Sequence, residues 1–131
     1  DTVPASTPTP SNAELEILAV LWRKGPQTVR QIHSALDRRR TIGYTTTLKT
    51  LQLMTEKGLV SRDESERSHV YKAAVPERAV KKRLVADLLD RAFDGSAAGL
   101  VMHALSAKKA SPAERAKIRK LLEEHAKGGR R

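Results

Sequence analysis

The chain has 131 residues, which is enough for one ordinary domain or for one domain with an oligomerisation extension. Apolar residues make up 39% of it and aromatic residues only 3%, so small aliphatic side chains must fill the core. The formal charge of +10 favours a polyanionic partner, mainly nucleic acid or an acidic membrane surface, and the absence of cysteine excludes disulfides, thiolate metal sites and thiol catalysis.

The N-terminal residues 1–11 are predicted to be a disordered arm, because three of the first ten residues are proline. They have neither a basic start nor an apolar stretch, so they do not resemble a secretory signal. No apolar run in the sequence approaches the roughly 18 residues of a membrane span. Together with the lack of cysteine, which is typical of a reducing compartment, this predicts a cytoplasmic protein.

Two short helices are predicted next, over residues 12–24 and 29–38. Each has apolar residues at helical spacing, and Gly25 followed by Pro26 separates the two. Each is also preceded by a pair with the spacing of a capping box. The pairs are Ser11 with Glu14 and Thr28 with Gln31.

A third helix is predicted from Tyr44 to Lys57, with Gly58 as a left-handed C-cap. A short polar hairpin follows it, with strands near residues 59–63 and 69–73. Three helices followed by such a hairpin are typical of a winged helix-turn-helix. We therefore predict a DNA-binding domain over residues 12–75.

The start of the third helix carries short donors and acceptors, which a recognition helix needs because its first residues enter the major groove. Tyr44, Thr45, Thr46 and Lys49 supply them. Threonines are tolerated in the first turn of any helix, so the motif alone is weak. Its place after two helices and before a basic hairpin makes DNA contact the favoured interpretation.

Two arginines, Arg62 and Arg67, flank the turn of the predicted wing. In a wing, such side chains reach phosphates or the minor groove. They could instead pair with the acidic residues of the same turn. The two interpretations are equal for Arg62, whereas DNA contact is favoured for Arg67. The acidic residues are Asp63, Glu64 and Glu66.

Residues 76–127 have the pattern of helices alone, and 128–131 form a basic tail. The apolar stripes of these helices have few aromatic residues to bury them within one chain, so we predict that they form a homodimer. The fold class is therefore mainly α, an N-terminal winged helix-turn-helix with a C-terminal helical dimerisation extension. The predicted dimerisation residues are Leu84, Leu88, Leu89, Leu100, Val101, Leu105, Leu121 and Leu122.

The sequence does not predict an enzyme, a metal site or a cofactor. The four histidines are scattered, and no phosphate-binding loop, dinucleotide turn or nucleophile elbow is present. Asp87 and Asp90 are spaced as a solvated helix face rather than as an acid–base pair.

Five segments make the chain similar to the BlaI/MecI family of bacterial repressors, from about Glu14 to Glu124. They are ELEILAVLW at Glu14–Trp22, QTVRQIH at Gln27–His33, YTT at Tyr44–Thr46, EKGLV at Glu56–Val60 and RSHVY at Arg67–Tyr71. The resemblance implies a homodimer that represses by occupying an operator. It also implies release when a membrane sensor-protease cleaves the repressor. Transferred to this chain, its base-reading positions are Thr45, Thr46 and Lys49, with Arg67 in the wing.

The chain departs from the family pattern at several of these places. Lys49 stands where the family usually has a small hydroxyl residue, and Leu53 stands where it usually has a basic one. His103 and Ala104 take the place of the cleaved Asn-Phe pair and mark the possible cleavage region. The absence of cysteine excludes copper sensing through thiolates.

We therefore predict a dimeric transcriptional repressor that binds a palindromic DNA operator and is released by proteolysis or another signal. The alternative is a sequence-neutral architectural DNA-binding protein. A winged helix that binds only protein, or one that senses a ligand, is also compatible with the sequence.

Overall fold

The computed structural model describes residues 8–128, and the predicted mainly helical fold with an N-terminal winged helix is confirmed. Residues 1–7 of the predicted arm and 129–131 of the predicted tail lie outside the described residues. The elements are α1 (Asn12–Lys24), β1 (Gln27–Thr28), α2 (Val29–Asp37), α3 (Tyr44–Lys57), β2 (Val60–Asp63), β3 (Val70–Ala73), α4 (Glu77–Ala92), α5 (Ala97–Ala107) and α6 (Pro112–Gly128).

Both predicted capping boxes are present. The Ser11 hydroxyl accepts a hydrogen bond from the Glu14 amide at 3.2 Å, and the Glu14 carboxylate accepts one from the Ser11 amide at 2.9 Å. Thr28 and Gln31 repeat the arrangement at the start of α2. These bonds satisfy N–H groups that have no partner inside the helix, and they fix where α1 and α2 begin.

The sheet has three antiparallel strands in the order β1-β3-β2. The wing hairpin pairs Val60 with Ala73 and Asp63 with Val70. The strand β1, which was not predicted, pairs Gln27 with Tyr71 on the other side of β3. A two-residue strand contains no alternating pattern that a sequence could reveal. It nevertheless fixes the start of α2 beside the wing.

One hydrophobic core lies between α1, α2, α3 and the sheet. Its largest fully buried side chain is Tyr71 on β3, which accounts for one of the few aromatic residues. Trp22 lies at its edge, and its indole N–H donates to the carbonyl of Val75 at 3.0 Å. The other fully buried side chains are Ile17, Leu18, Ile32, Thr47, Leu51, Met54 and Leu59.

The chain divides into two compact units, with the division between Ala86 and Asp87. The first unit includes the first turns of α4, because Val80 is buried in the winged-helix core and Leu84 packs against it. In the second unit, α5 and α6 contain no buried residue. Residues 8–10 of the predicted arm line a small crevice of the first unit beside Leu59.

Candidate nucleic-acid interface

The helix α3 begins without a side-chain cap. Its N-cap is Gly43, in an extended conformation with φ −68° and ψ 144°. Glycine has no side chain to accept from the first-turn N–H groups, so these groups and the positive end of the helix dipole stay available. Such a helix start is suited to an anion, and a DNA phosphate is one.

The two faces of α3 differ in burial. Thr47, Leu51 and Met54 are buried in the core, each at most 1% exposed. The opposite face carries Thr45 and Lys49, and both are exposed. Buried residues on one side therefore hold α3 in place and leave the polar side to a partner.

The threonines of α3 have different roles. Thr47 donates its hydroxyl to the Gly43 carbonyl at 3.4 Å, and Thr50 donates to the Thr46 carbonyl at 2.8 Å. The hydroxyls of Thr45 and Thr46 make no hydrogen bond within residues 8–128, and both residues are exposed. They are the threonine hydroxyls in the first turn that remain free for a base edge or a phosphate.

The turn between α2 and α3 is held by two side chains that sequence reasoning did not single out. The His33 Nε2 lies 2.6 Å from the Ile42 carbonyl oxygen, and the Asp37 carboxylate accepts from the Ile42 amide at 3.2 Å. The His33 ring also meets the Tyr44 ring edge-on, with centroids 5.7 Å apart. These contacts position Tyr44, which is 45% exposed at the first residue of α3.

In the wing, Arg62 is bound to its own hairpin. It lies opposite Tyr71 in the strand register and 3.2 Å from the Glu64 carboxylate. A hydrogen bond with Tyr71 and the charge of Glu64 raise the pKa of the Arg62 guanidinium. Both contacts stabilise the cationic guanidinium, so the Arg62 side chain already has partners within the hairpin.

Arg67 is exposed and has no ion pair within the described part of the chain. Two of the three nearby acidic groups have other partners, whereas Glu66 is exposed and has no ion pair within residues 8–128. The Asp63 carboxylate accepts from the Ser65 amide at 2.9 Å, and that hydrogen bond lowers the pKa of Asp63. Glu64 pairs with Arg62. Of the two wing arginines, Arg67 is the one available to DNA.

A groove of about 330 Å³ separates the wing from the starts of α2 and α3. Tyr44 and Leu48 line one side of it, and Arg67 lines the wing side. Arg30 on α2 also lines it, although the sequence offered no signal for this residue. The pairing of β1 with β3 is what brings the start of α2 to the wing. The groove thus places two cations beside the first residue of α3.

The predicted dimerisation residues fall into two environments. Leu84 packs against the winged-helix core, and Leu89 and Leu100 are half-buried. The remaining five are between 43% and 66% exposed. These five are Leu88, Val101, Leu105, Leu121 and Leu122.

The residues of the possible cleavage region, His103 and Ala104, lie inside α5 and are exposed. The His103 ring meets Phe93 edge-on at 5.5 Å, and its Nδ1 lies 2.9 Å from the Gly99 carbonyl oxygen.

Over residues 8–128, no helix combines the length and the apolar content that crossing a membrane requires.

Known proteins resemble the chain both in sequence and in fold. The model of the penicillinase repressor family matches residues 10–124. The transcriptional regulator BlaI of Mycobacterium tuberculosis is 37% identical over 92 residues, which cover 69% of this chain and 67% of the relative.

Two solved structures are similar to the described fold. The DNA-binding domain of the repressor BlaI, a solution structure, is 25% identical, with a TM-score of 0.51 over 56% of this chain and 89% of that domain. RosR of H. salinarum is 17% identical, with a TM-score of 0.51 over 90% of this chain and 94% of that protein. At that lower identity, the second likeness shows the fold alone.

Proposed function

This chain belongs to the penicillinase repressor family, and we propose that it acts as a cytoplasmic homodimer on a palindromic operator. Membership of that family makes it a transcriptional repressor of the BlaI type that binds operator DNA, and not an enzyme. Each protomer would place the start of α3 in the major groove. Repression would be steric, because a dimer bound at the promoter excludes the polymerase.

The arrangement at the start of α3 carries this proposal. An uncapped helix start, two free hydroxyls on Thr45 and Thr46 and the exposed Lys49 lie together on one surface. Phosphate contacts by the helix start and by Arg67 would position the domain, and the side chains of α3 would read base edges. Arg30 and Tyr44 would extend the phosphate contacts along the groove beside the wing.

The exposed apolar side chains of the second unit support a dimer. Leu121 and Leu122 on α6 are 54% and 66% exposed, and Met102 on α5 is 60% exposed. Large apolar side chains exposed on consecutive helices are typical of protein–protein interfaces. A second copy would cover them through a self-complementary contact and would hold two recognition helices at one spacing.

Release of the operator would follow from the dependence of DNA binding on dimerisation. A monomer can use only one half-site, so separating the second units weakens operator binding by mass action. We propose proteolysis at His103 or Ala104, by a membrane sensor-protease, as one such signal. Both residues lie within α5, so α5 must unfold locally before a protease can bind the backbone in an extended form.

The test compares Leu88→Asp with Ala86→Asp. Both variants add one negative charge to an exposed position of α4, but only Leu88 belongs to the apolar stripe. We expect Leu88→Asp to sediment as a monomer, to lose tight operator binding and to keep a folded winged helix. Ala86→Asp should remain a dimer and bind as the wild type does. A Leu88→Asp protein that still dimerises and binds normally would contradict the proposed assembly.

One observation favours a second candidate, a sequence-neutral architectural protein. Between Lys108 and Lys120 the chain has six basic residues and one acidic residue, all exposed. Such a cluster attracts any duplex. Equal affinity for operator and scrambled DNA, with a steep salt dependence, would establish this function in place of the repressor.

A further inference from the structure

Two large apolar side chains between α1 and β3 are strongly exposed, and both lie on α3. They are Tyr44 at 45% and Leu53 at 51%. Tyr44 packs against His33 and lines the groove beside the wing. Leu53 is not part of the hydrophobic core of the first unit, which covers the other large apolar side chains of α1, α2 and the sheet.

Leu53 lies on the polar, exposed side of α3. It follows Lys49 by one turn and Thr45 by two, which places it about 12 Å from Thr45 along the helix axis. Its neighbours Gln52 and Glu56 are also exposed. None of these three side chains is a cation, and Glu56 would repel a phosphate. This part of α3 is therefore suited to base edges rather than to the DNA backbone.

The apolar group that the major-groove edges of the base pairs present is the C5-methyl of thymine. We propose that Leu53 packs on a thymine methyl in each half-site and thereby determines part of the operator sequence. The inference rests on the proposed function, because it requires α3 to lie in the major groove. Because residues about three apart on a helix in the major groove contact successive bases, this thymine should lie about two to three base pairs from the base nearest Thr45.

The experiment uses the operator duplex recovered by selection with the full chain. Each thymine is replaced in turn by deoxyuridine, which removes the methyl group and keeps the hydrogen-bonding edge. For the wild type, one position per half-site should cost about fourfold in affinity, the effect of burying one methyl group. Substitution in both half-sites should cost about sixteenfold. Leu53→Ala should bind the methylated and the unmethylated duplex equally.

Gln52→Ala is the matched control, because Gln52 is the exposed neighbour of Leu53 on the same turn. It should keep the full dependence on the thymine methyl. A wild type that binds tightly but shows no dependence at any thymine would overturn the inference and leave the repressor function intact. So would a dependence that persists in Leu53→Ala. A wild type that binds no selected duplex would refute the proposed function itself, and this inference with it.

Discussion

At the scale of single residues, the two wing arginines differ in what already holds them. Arg62 is bound to Glu64 and Tyr71, whereas Arg67 has no ion pair within residues 8–128. The sequence placed both beside three acidic residues, favoured DNA contact for Arg67 and left the two interpretations of Arg62 equal. The structure shows why they differ: the hairpin register sets Arg62 opposite Tyr71, and the turn at Asp63 occupies one carboxylate.

We expect Arg67→Gln to weaken binding to operator and scrambled duplexes alike. It should also lower the slope of log affinity against log salt by about 0.9, the value for one lost phosphate contact. Arg62→Gln is the matched variant and should change the slope much less, because its guanidinium is already paired. Fluorescence anisotropy titrations between low and moderate salt measure both. Equal changes in the two variants would mean that Arg62 and Arg67 contribute equally to phosphate contact, despite the ion pair of Arg62.

Lys49 is expected to contact a base rather than a phosphate, because it lies one turn into the exposed face of α3. Lys49→Ala should cost on the order of 1–3 kcal/mol on the operator and much less on scrambled DNA. Lys24→Ala, at the exposed end of α1, controls for the loss of one positive charge. If Lys49→Ala weakens binding to both duplexes equally, Lys49 touches only phosphate.

At the scale of elements, one ion pair ties the start of α1 to the end of α3. The Glu14 carboxylate is buried and lies 2.7 Å from the Lys57 ammonium, while it also caps α1. Burial alone would raise the pKa of Glu14. The hydrogen bonds from Lys57 and Ser11, with the charge of Lys57, outweigh burial and lower the pKa below its ordinary value of 4.5.

This shift predicts how stability depends on pH. A carboxyl group whose pKa is lower in the folded chain stabilises it fully above the unfolded pKa and loses this effect as pH falls through the folded pKa. Glu14→Gln should therefore lower the thermal midpoint near pH 7. The difference from the wild type should shrink as the pH falls below 4.5.

The expected loss is about 1–2 kcal/mol at neutral pH, discounted because Lys57 is partly exposed. For a domain the size of the winged helix, each kcal/mol lost lowers the thermal midpoint by about 4–8 °C. Glu16→Gln removes the ion pair with the more exposed Arg40 and should cost less. A Glu14→Gln deficit that persists unchanged into strong acid would show that the pair is not the source of the stability.

Helix limits were largely predictable because they are encoded locally. Ser11 and Thr28 cap α1 and α2 as their spacing implies, and Gly58 ends α3 in the left-handed conformation with φ 81°. The strand β1 was missed because it exists only through its pairing with β3. Contacts made by distant segments leave no periodic signal in a two-residue stretch.

The exposure of the candidate site on α3 was also predictable. Helical spacing places Thr45 and Lys49 on one face, and the structure exposes both of them and Thr46. Arg30 could not be predicted, because only the sheet brings it to the wing groove. The role of His33 also depends on folding, since it contacts Ile42 nine residues later and the Tyr44 ring.

At the scale of the whole molecule, the charge is not concentrated in the winged helix. Residues 12–73 contain 11 basic and 7 acidic residues, a net of +4, whereas 74–131 contain 14 and 7, a net of +7; Asp1 brings the total to +10. Net charge alone therefore does not mark the DNA-reading surface, and we expect specific reading to come from α3 and the wing. The positive charge of residues 74–131 would either add a general attraction to DNA or simply be solvated.

The most direct test of the dimeric repressor is selection of genomic DNA fragments by the full chain at near-physiological salt, followed by sequencing of the retained pool. We expect one enriched palindrome whose half-site centres are about one helical turn, roughly 34 Å, apart. Retention of DNA without any enriched sequence would contradict the account and would favour the architectural function. An enriched single half-site with no partner would contradict the proposed dimer while preserving sequence reading by α3.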